Sequence, residues 1–120
     1  MSKYIKMNEV IPPYFALIFT SKLKENSKEY DQMAEKMYSL AKLQEGFLGF
    51  KSVRQQLGIT ICFWEYLNHI KNWKNNFEHR EAQTKGMNLW YEAYESEIYK
   101  VDRKYTFNYI QICYLNKHII

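Results

Sequence analysis

The first dense apolar run, Tyr14 to Thr20 (Tyr-Phe-Ala-Leu-Ile-Phe-Thr), follows directly on Pro12-Pro13. A proline pair stops regular structure and introduces an extended segment, so residues 1–12 read as a polar N-terminal extension. The run is made of strand formers. It does not alternate with polar residues, so the strand it predicts is covered on both faces. By parity Tyr14 and Phe19 point to opposite faces, and only one of them can face helices. Asn26-Ser27-Lys28-Glu29 has the form of a capping box, with Asn26 at the cap and Glu29 three residues on. Tyr30, Met33, Ala34, Met37, Leu40 and Ala41 then step by threes and fours, which is one helical face. Gly46 closes that helix, free to take the left-handed conformation at its end.

Phe47 to Arg54 predicts a second strand, Gln55 to Gly58 a turn, and Ile59 to Glu65 a third strand, again apolar on both faces. The short gap makes the pair an antiparallel hairpin. Asn68 is placed to cap a second helix carrying Ile70, Trp73, Lys74 and Phe77. A further helical stretch runs from Glu78 to Lys85 and ends at Gly86, followed by a short aromatic-rich segment, Met87 to Tyr94. Glu95 to Tyr105 predicts a long last strand. The order β-α-β-β-α-β is the ferredoxin-like α+β arrangement, a four-stranded antiparallel sheet with its helices on one face. That leaves the other sheet face bare, although the first and third strands are apolar on both sides. A homodimer in which two sheets pack face to face resolves the conflict. The domain spans 13–105. Residues 106–120 are β-prone and too apolar for a free tail, so they predict an extra strand or arm on the sheet or on the partner subunit.

A chain of 120 residues makes one domain and can bury a core without disulfides or structural metal. With 11 Tyr, 7 Phe and 3 Trp, it carries more aromatic surface than such a core uses. The remainder belongs on a second apolar surface, in a ligand pocket or at a subunit interface. The net charge of +4 comes from lysines interleaved with glutamates, with no basic run. The third strand, Ile-Thr-Ile-Cys-Phe-Trp-Glu, lacks the basic-Gly-aromatic signature with which an RNA-recognition sheet of this strand order stacks bases, so no nucleic-acid partner is expected. Cys62 and Cys113 form no CxxC pair, no zinc spacing is present, and Cys62 reads as a small buried hydrophobe. The N-terminus has no apolar core of a signal peptide. No stretch approaches the ~18 apolar residues of a membrane span. The expected location is the cytoplasm, away from membranes.

The ordered set Tyr14–Thr20, Gly46-Phe47-Leu48-Gly49, Trp64-Glu65, Trp73, Glu78-His79, Ala82-Gln83 and Trp90-Tyr91 resembles the antibiotic biosynthesis monooxygenase (ABM) family over about residues 13–105. The chain is most similar to its small bacterial members of unassigned substrate. The resemblance implies a dimeric α/β barrel. It also implies either oxidation of phenolic or quinol-like compounds without metal or flavin, or degradation of haem. In the haem-degrading branch a histidine ligates iron ten residues after a tryptophan. Ten residues after Trp73 stands Gln83, and the first strand offers Phe19 and Thr20 where that branch has asparagine. These departures argue against haem.

Oxygenation without a cofactor needs an electron-rich phenol or enol, a site that favours its anion, and exclusion of water. Apolar aromatic walls with one or two polar groups meet those needs. His79 and Tyr91 are the available proton handlers, His79 being the sharper because its ordinary pKa lies near neutrality. Trp73, Phe77 and Trp90 are candidate walls, and Arg54 a candidate anion partner. His79 stands six residues after Trp73, so a break near Phe77 is required to bring the two into one pocket. His69 and His118 read as incidental, and Trp64 as a dimer-interface residue. The function expected is therefore a cofactor-independent monooxygenase acting on a small aromatic molecule. The alternative is a non-catalytic dimeric module that binds a small ligand or regulates a partner.

Overall fold

Strand β2 (Tyr14–Leu23) is flanked on both sides in the computed structural model, which describes residues 2–4, 10–25, 27, 29–107 and 109, with backbone alone at 2–4 and Phe77. It pairs antiparallel with β4 (Gly58–Trp64) and with β5 (Tyr91–Val101). Strand β3 (Phe47–Arg54) extends the sheet beside β4, and β1 (Ser2–Tyr4) pairs with Lys51–Val53 at the edge. The sheet order is β1-β3-β4-β2-β5. Without β1 this is the ferredoxin-like α+β sheet that the sequence predicts. β1 falls in a segment to which the sequence assigns no element, because three residues leave no periodic signal.

Helix α1 (Tyr30–Ala41) and helix α2 (Leu67–Lys74) bury their apolar stripes against one face of the sheet. That core joins Leu17, Ala41, Trp64, Ile70 and Trp73, with Phe15, Met37, Leu40, Phe47 and Cys62 packed around it. On the opposite face, Tyr14, Ala16 and Phe63 form a second cluster with Val10, Ile18, Leu48, Ile61 and Val101, and no helical residue among those described takes part. Successive strand residues alternate between faces, so Cys62 and Trp64 go to the helices while Phe63 goes to the other side. The expectation that Trp64 packs at a subunit interface is therefore overturned. Trp64 is wholly buried against Phe47 and Trp73.

Several boundaries differ from those the sequence predicts. Helix α1 begins immediately after Glu29, which sits at the cap with φ 68° and no side-chain cap bond, rather than three residues inside a capping box. Asn26 and Lys28 lie outside the described residues. Tyr66, not Asn68, precedes α2. Its backbone N–H donates to His69 Nδ1 (3.2 Å), and the His69 N–H donates to the Tyr66 carbonyl (3.1 Å). His69, read as incidental, is thus a buried helix-start residue. Gly86 ends the α-helix as predicted, but it does so in right-handed backbone and the chain does not leave helical structure there. Helix α3 (Phe77–Lys85) runs into one π-helical turn (Gly86–Trp90), and β5 starts directly at Tyr91. Strand β5 begins four residues earlier than predicted because β2 continues to Leu23 and needs a partner along its whole length, up to Leu23↔Tyr91. Of the predicted C-terminal arm, only Thr106, Phe107 and Tyr109 are described, all exposed. The rest, with Cys113, lies outside the described residues.

Gly46 takes φ +83°, and a Cβ there would overlap the His69 ring. A side chain in left-handed backbone costs roughly 1–2 kcal/mol. Displacing the His69 bond to Tyr66 adds about 1 kcal/mol, as for other helix-start bonds. We expect Gly46→Ala to lower unfolding free energy by about 2–3 kcal/mol in urea titrations, and by visibly less in a His69→Ala background. Additive losses would show that the two residues do not share the defect.

Candidate functional site

The helix-side face of the sheet floors a cavity of about 680 Å³, roofed by α1, α2, α3 and the π-helical turn. Cross-strand register arranges the floor in rows. Phe50, Cys62 and Leu17 lie side by side, then Ser52, Thr60, Phe19 and Ser96, then Arg54, Gly58, Ser21 and Tyr94. The floor therefore passes from apolar through hydroxyl-bearing to cationic along the strands. Ser52 Oγ and Thr60 Oγ1 are hydrogen-bonded at 3.0 Å. Cys62 lies within the apolar row, and burial pushes its thiol up to about 12, so it stays protonated at neutral pH.

At the apolar end, Trp73 and His79 stack face to face, with ring centroids 4.1 Å apart and planes 18° apart. The chain breaks between α2 and α3 at Asn75 and Asn76, which brings the two together despite their six-residue separation. Asn76 Oδ1 accepts from the backbone N–H groups of Glu78 (3.0 Å) and His79 (3.2 Å), so it caps α3 and aims its first turn. His79 Nδ1 lies 3.0 Å from the Trp73 carbonyl. A carbonyl only accepts, so Nδ1 carries the hydrogen and Nε2 keeps the lone pair. Burial pulls His79 down to about 4. The nearby Lys74 charge acts in the same direction, and the Trp73 carbonyl opposes both. His79 is therefore a neutral acceptor at pH 7.

At the other end, Phe19, Tyr30, Trp90, Tyr91 and Tyr94 form a continuous aromatic cluster with centroids 5.3–6.0 Å apart. Arg54 Nη2 donates to Ser21 Oγ and to Tyr30 Oη (3.3 Å), and Nη1 reaches the Ser21 carbonyl at 3.5 Å. The guanidinium also lies 5.0 Å from the Tyr30 ring centroid. Tyr91 is raised above the ordinary phenol range, first by burial and then by its neighbour and hydrogen-bond partner Tyr30. Arg54 pulls it the other way. At neutral pH Tyr91 is a donor and not a base. Gly86 sits beneath it, where a Cβ would press on the Tyr91 ring.

Trp73, His79, Trp90, Tyr91 and Arg54 thus all line one cavity. Phe77 opens α3, and its side chain lies outside the described residues. Sequence reasoning missed Tyr30, Ser21 and Asn76. Tyr30 matched the helical core stripe, and Ser21 stands just past the predicted end of its strand. Asn76, three residues before His79, carries the cap signal that was there to be read. Among the described residues no group of three or more His, Cys, Asp or Glu comes together to hold a metal ion. No helix among them is long and apolar enough to cross a membrane.

Solved structures share this architecture. SnoaB, a cofactor-independent oxygenase from Streptomyces nogalater, superposes with a TM-score of 0.67 at 10% identity, over 78% of this chain and 97% of that one. Rv0793 from Mycobacterium tuberculosis gives 0.69 at 5% identity, over 78% and 99%. A Nitrosomonas europaea protein provisionally named an antibiotic biosynthesis monooxygenase gives 0.67 at 8% identity, over 77% and 94%. The fold is that of the ABM-like proteins. No protein-family model matches the chain. It is 45% identical over 98 residues to the uncharacterized protein YqjZ of Bacillus subtilis (strain 168), covering 80% of this chain and 86% of that protein. The chain belongs to the same family as YqjZ.

The His79 shift has a sign that can be checked. Its folded pKa lies below its unfolded value of 6.5, so the unfolded chain binds the proton first. Its contribution to stability is complete above pH 6.5 and is lost as pH falls toward 4. We expect that loss to be on the order of 1–3 kcal/mol. His79→Gln should flatten the pH 4–6.5 segment of the stability curve in thermal melts. An unchanged slope there would place the titration elsewhere.

Proposed function

We propose that this protein is a cofactor-independent monooxygenase acting on a small aromatic, phenol- or quinol-like compound bound in the helix-side cavity. The observation that carries the reading is the Trp73–His79 stack. It sets a neutral imidazole, with its tautomer fixed by the Trp73 carbonyl, on the wall of a large apolar cavity. The shared fold with an oxygenase named as cofactor-independent supports it. In this reading His79 Nε2 accepts the hydroxyl proton of the substrate as its anion forms. Tyr91 donates a hydrogen bond to a substrate oxygen. Trp73 and Trp90 wall the ring and Arg54 binds opposite charge. With His79 drawn down to about 4, proton transfer from an ordinary phenol of pKa near 10 is steeply uphill. The substrates favoured are enols and polycyclic phenols whose anions are delocalised.

The test is oxygen consumption with model naphthols and anthrones. We expect turnover in the native protein and a fall of about 10²-fold or more in His79→Ala and in Trp73→Ala, in the range a positioned acid–base group contributes. Equal turnover in all three would reject this site. Binding without turnover in the native protein would favour the non-catalytic ligand-binding module, which the weakened basicity of His79 also fits.

We further propose that the protein is a cytoplasmic homodimer that covers its outer sheet face with a second copy. The support is the Tyr14, Ala16 and Phe63 cluster, with Ile18 and Ile61 beside it on a face that no helix among the described residues covers. Light scattering at micromolar concentration should give twice the chain mass for the native protein, and the single-chain mass for Ile18→Lys. A native monomer would refute it.

A further inference from the structure

The middle row of the cavity floor holds a pair of hydroxyls to which the proposed chemistry gives no role. Ser52 on β3 and Thr60 on β4 stand directly opposite one another and both line the cavity. Their hydroxyls are hydrogen-bonded at 3.0 Å, and either can be the donor. Among the described residues each hydroxyl is bonded only to the other. Two hydroxyls bring two hydrogens and four lone pairs. The bond between them takes one of each, so one hydrogen and three lone pairs remain. Both side chains are half-buried, and the cavity is where the remaining positions can be met. Cross-strand hydroxyl pairs also stabilise sheets by themselves. This one lies on the floor of a large cavity, which gives it a second use.

The surroundings make that capacity matter. The next floor row toward Trp73 is Phe50, Cys62 and Leu17, and the neighbour of Thr60 on β2 is Phe19. A ligand oxygen lying over those side chains gives up water and gains no strong partner. Over the pair it can both donate and accept. The pair is uncharged and offers a single hydrogen beside several lone pairs. That suits a hydroxyl, or a ring carbonyl that takes the one hydrogen. It suits a carboxylate less, because a carboxylate calls for several donors. The position is also distinct from that of His79. The imidazole stacks on Trp73, which packs with Leu17 and Trp64. Thr60 stands four residues from Trp64 along β4, a rise of roughly 14 Å. The pair and the imidazole therefore address different parts of a bound ring system.

We propose that Ser52 and Thr60 form a specificity subsite for an uncharged oxygen substituent, hydroxyl or carbonyl, on the part of the ligand distant from His79. The cavity then selects ring systems that carry a second oxygen over those that carry one. This inference rests on the aromatic-ligand reading above and names the class of ligand more narrowly.

Binding of 2,6-dihydroxynaphthalene and of 2-naphthol tests it, measured without oxygen by quenching of the cavity tryptophans Trp73 and Trp90, with calorimetry as a check. The probes differ by one hydroxyl at the far end of the ring system. The native protein should bind the diol about 5-fold more tightly, as expected for one hydrogen bond made in exchange for water. In the double variant Ser52→Ala/Thr60→Val that preference should vanish or reverse, because the second hydroxyl is then buried without a partner. Removing both hydroxyls together orphans neither, so the double variant should keep the native fold and bind 2-naphthol within about twofold of the native protein. Thr60→Val alone leaves the Ser52 hydroxyl and should keep part of the preference. Equal or weaker binding of the diol by the native protein would overturn the subsite and leave the aromatic cavity standing. An unchanged preference in the double variant would do the same. An equal loss of both probes there would assign the pair to the sheet alone and overturn the subsite as well. Binding of neither probe by the native protein would overturn both readings.

Discussion

Strand β2 has to satisfy two apolar layers at once, and the rest of the molecule is arranged around that requirement. Its odd-numbered side chains, Phe15, Leu17 and Phe19, go to the helices, while Tyr14, Ala16 and Ile18 go to the opposite cluster. A strand buried on both faces must also have both edges paired, since an unpaired buried N–H or C=O is costly. β4 takes one edge and β5 the other, over nearly the full ten residues. The length of β2 therefore sets where β5 begins. That in turn leaves five residues after α3 to be taken up by a π-helical turn. Such turns mark places where a helix accommodates a constraint from outside itself. Here the constraint is the delivery of Trp90 and Tyr91 to the cavity wall.

The same strand register grades the cavity floor. Because directly opposed residues share a face, an apolar row, a hydroxyl row and a row with Arg54 follow one another across four strands without any local motif announcing them. The roof is set by a different device. The break at Asn76 turns the chain so that the first turn of α3 lays His79 on Trp73. The two ends of the cavity thus have opposite character for independent reasons. One end is a stacked aromatic pair with a weakened base, and the other an ordered cation among tyrosines.

Solved structures with the same fold share only 5–10% of their residues with this chain. The fold is therefore carried by where apolar side chains fall, and that pattern was largely legible here. The runs at Tyr14–Thr20 and Ile59–Glu65 and the helical stripe from Tyr30 to Ala41 stand in the structure where periodicity places them, whereas Gly46 takes the expected left-handed backbone but does not close α1, which ends five residues earlier at Ala41. Local signals were less reliable at element starts. The box at Asn26 to Glu29 did not set the start of α1, because Glu29 takes a left-handed backbone at the cap. Asn68 lost the cap of α2 to Tyr66 and His69, because Gly46 provides the space in which the His69 ring is buried.

Sequence alone determined the β-α-β-β-α-β order, the two-sided apolar strands and an aromatic content beyond what one core uses, because these follow from short-range periodicity and composition. It named Trp73, His79, Trp90, Tyr91 and Arg54 as residues of suitable chemistry. Only the tertiary structure decided that they line one cavity, that His79 is buried and neutral, and that Arg54 is held by Ser21, Tyr30 and Gly58. Those facts depend on contacts between different elements, up to 33 residues apart for Arg54 and Ser21, and on how much water reaches each group. No local pattern in the chain encodes either. The same distinction explains Trp64, whose side of the sheet follows from register and not from its residue type.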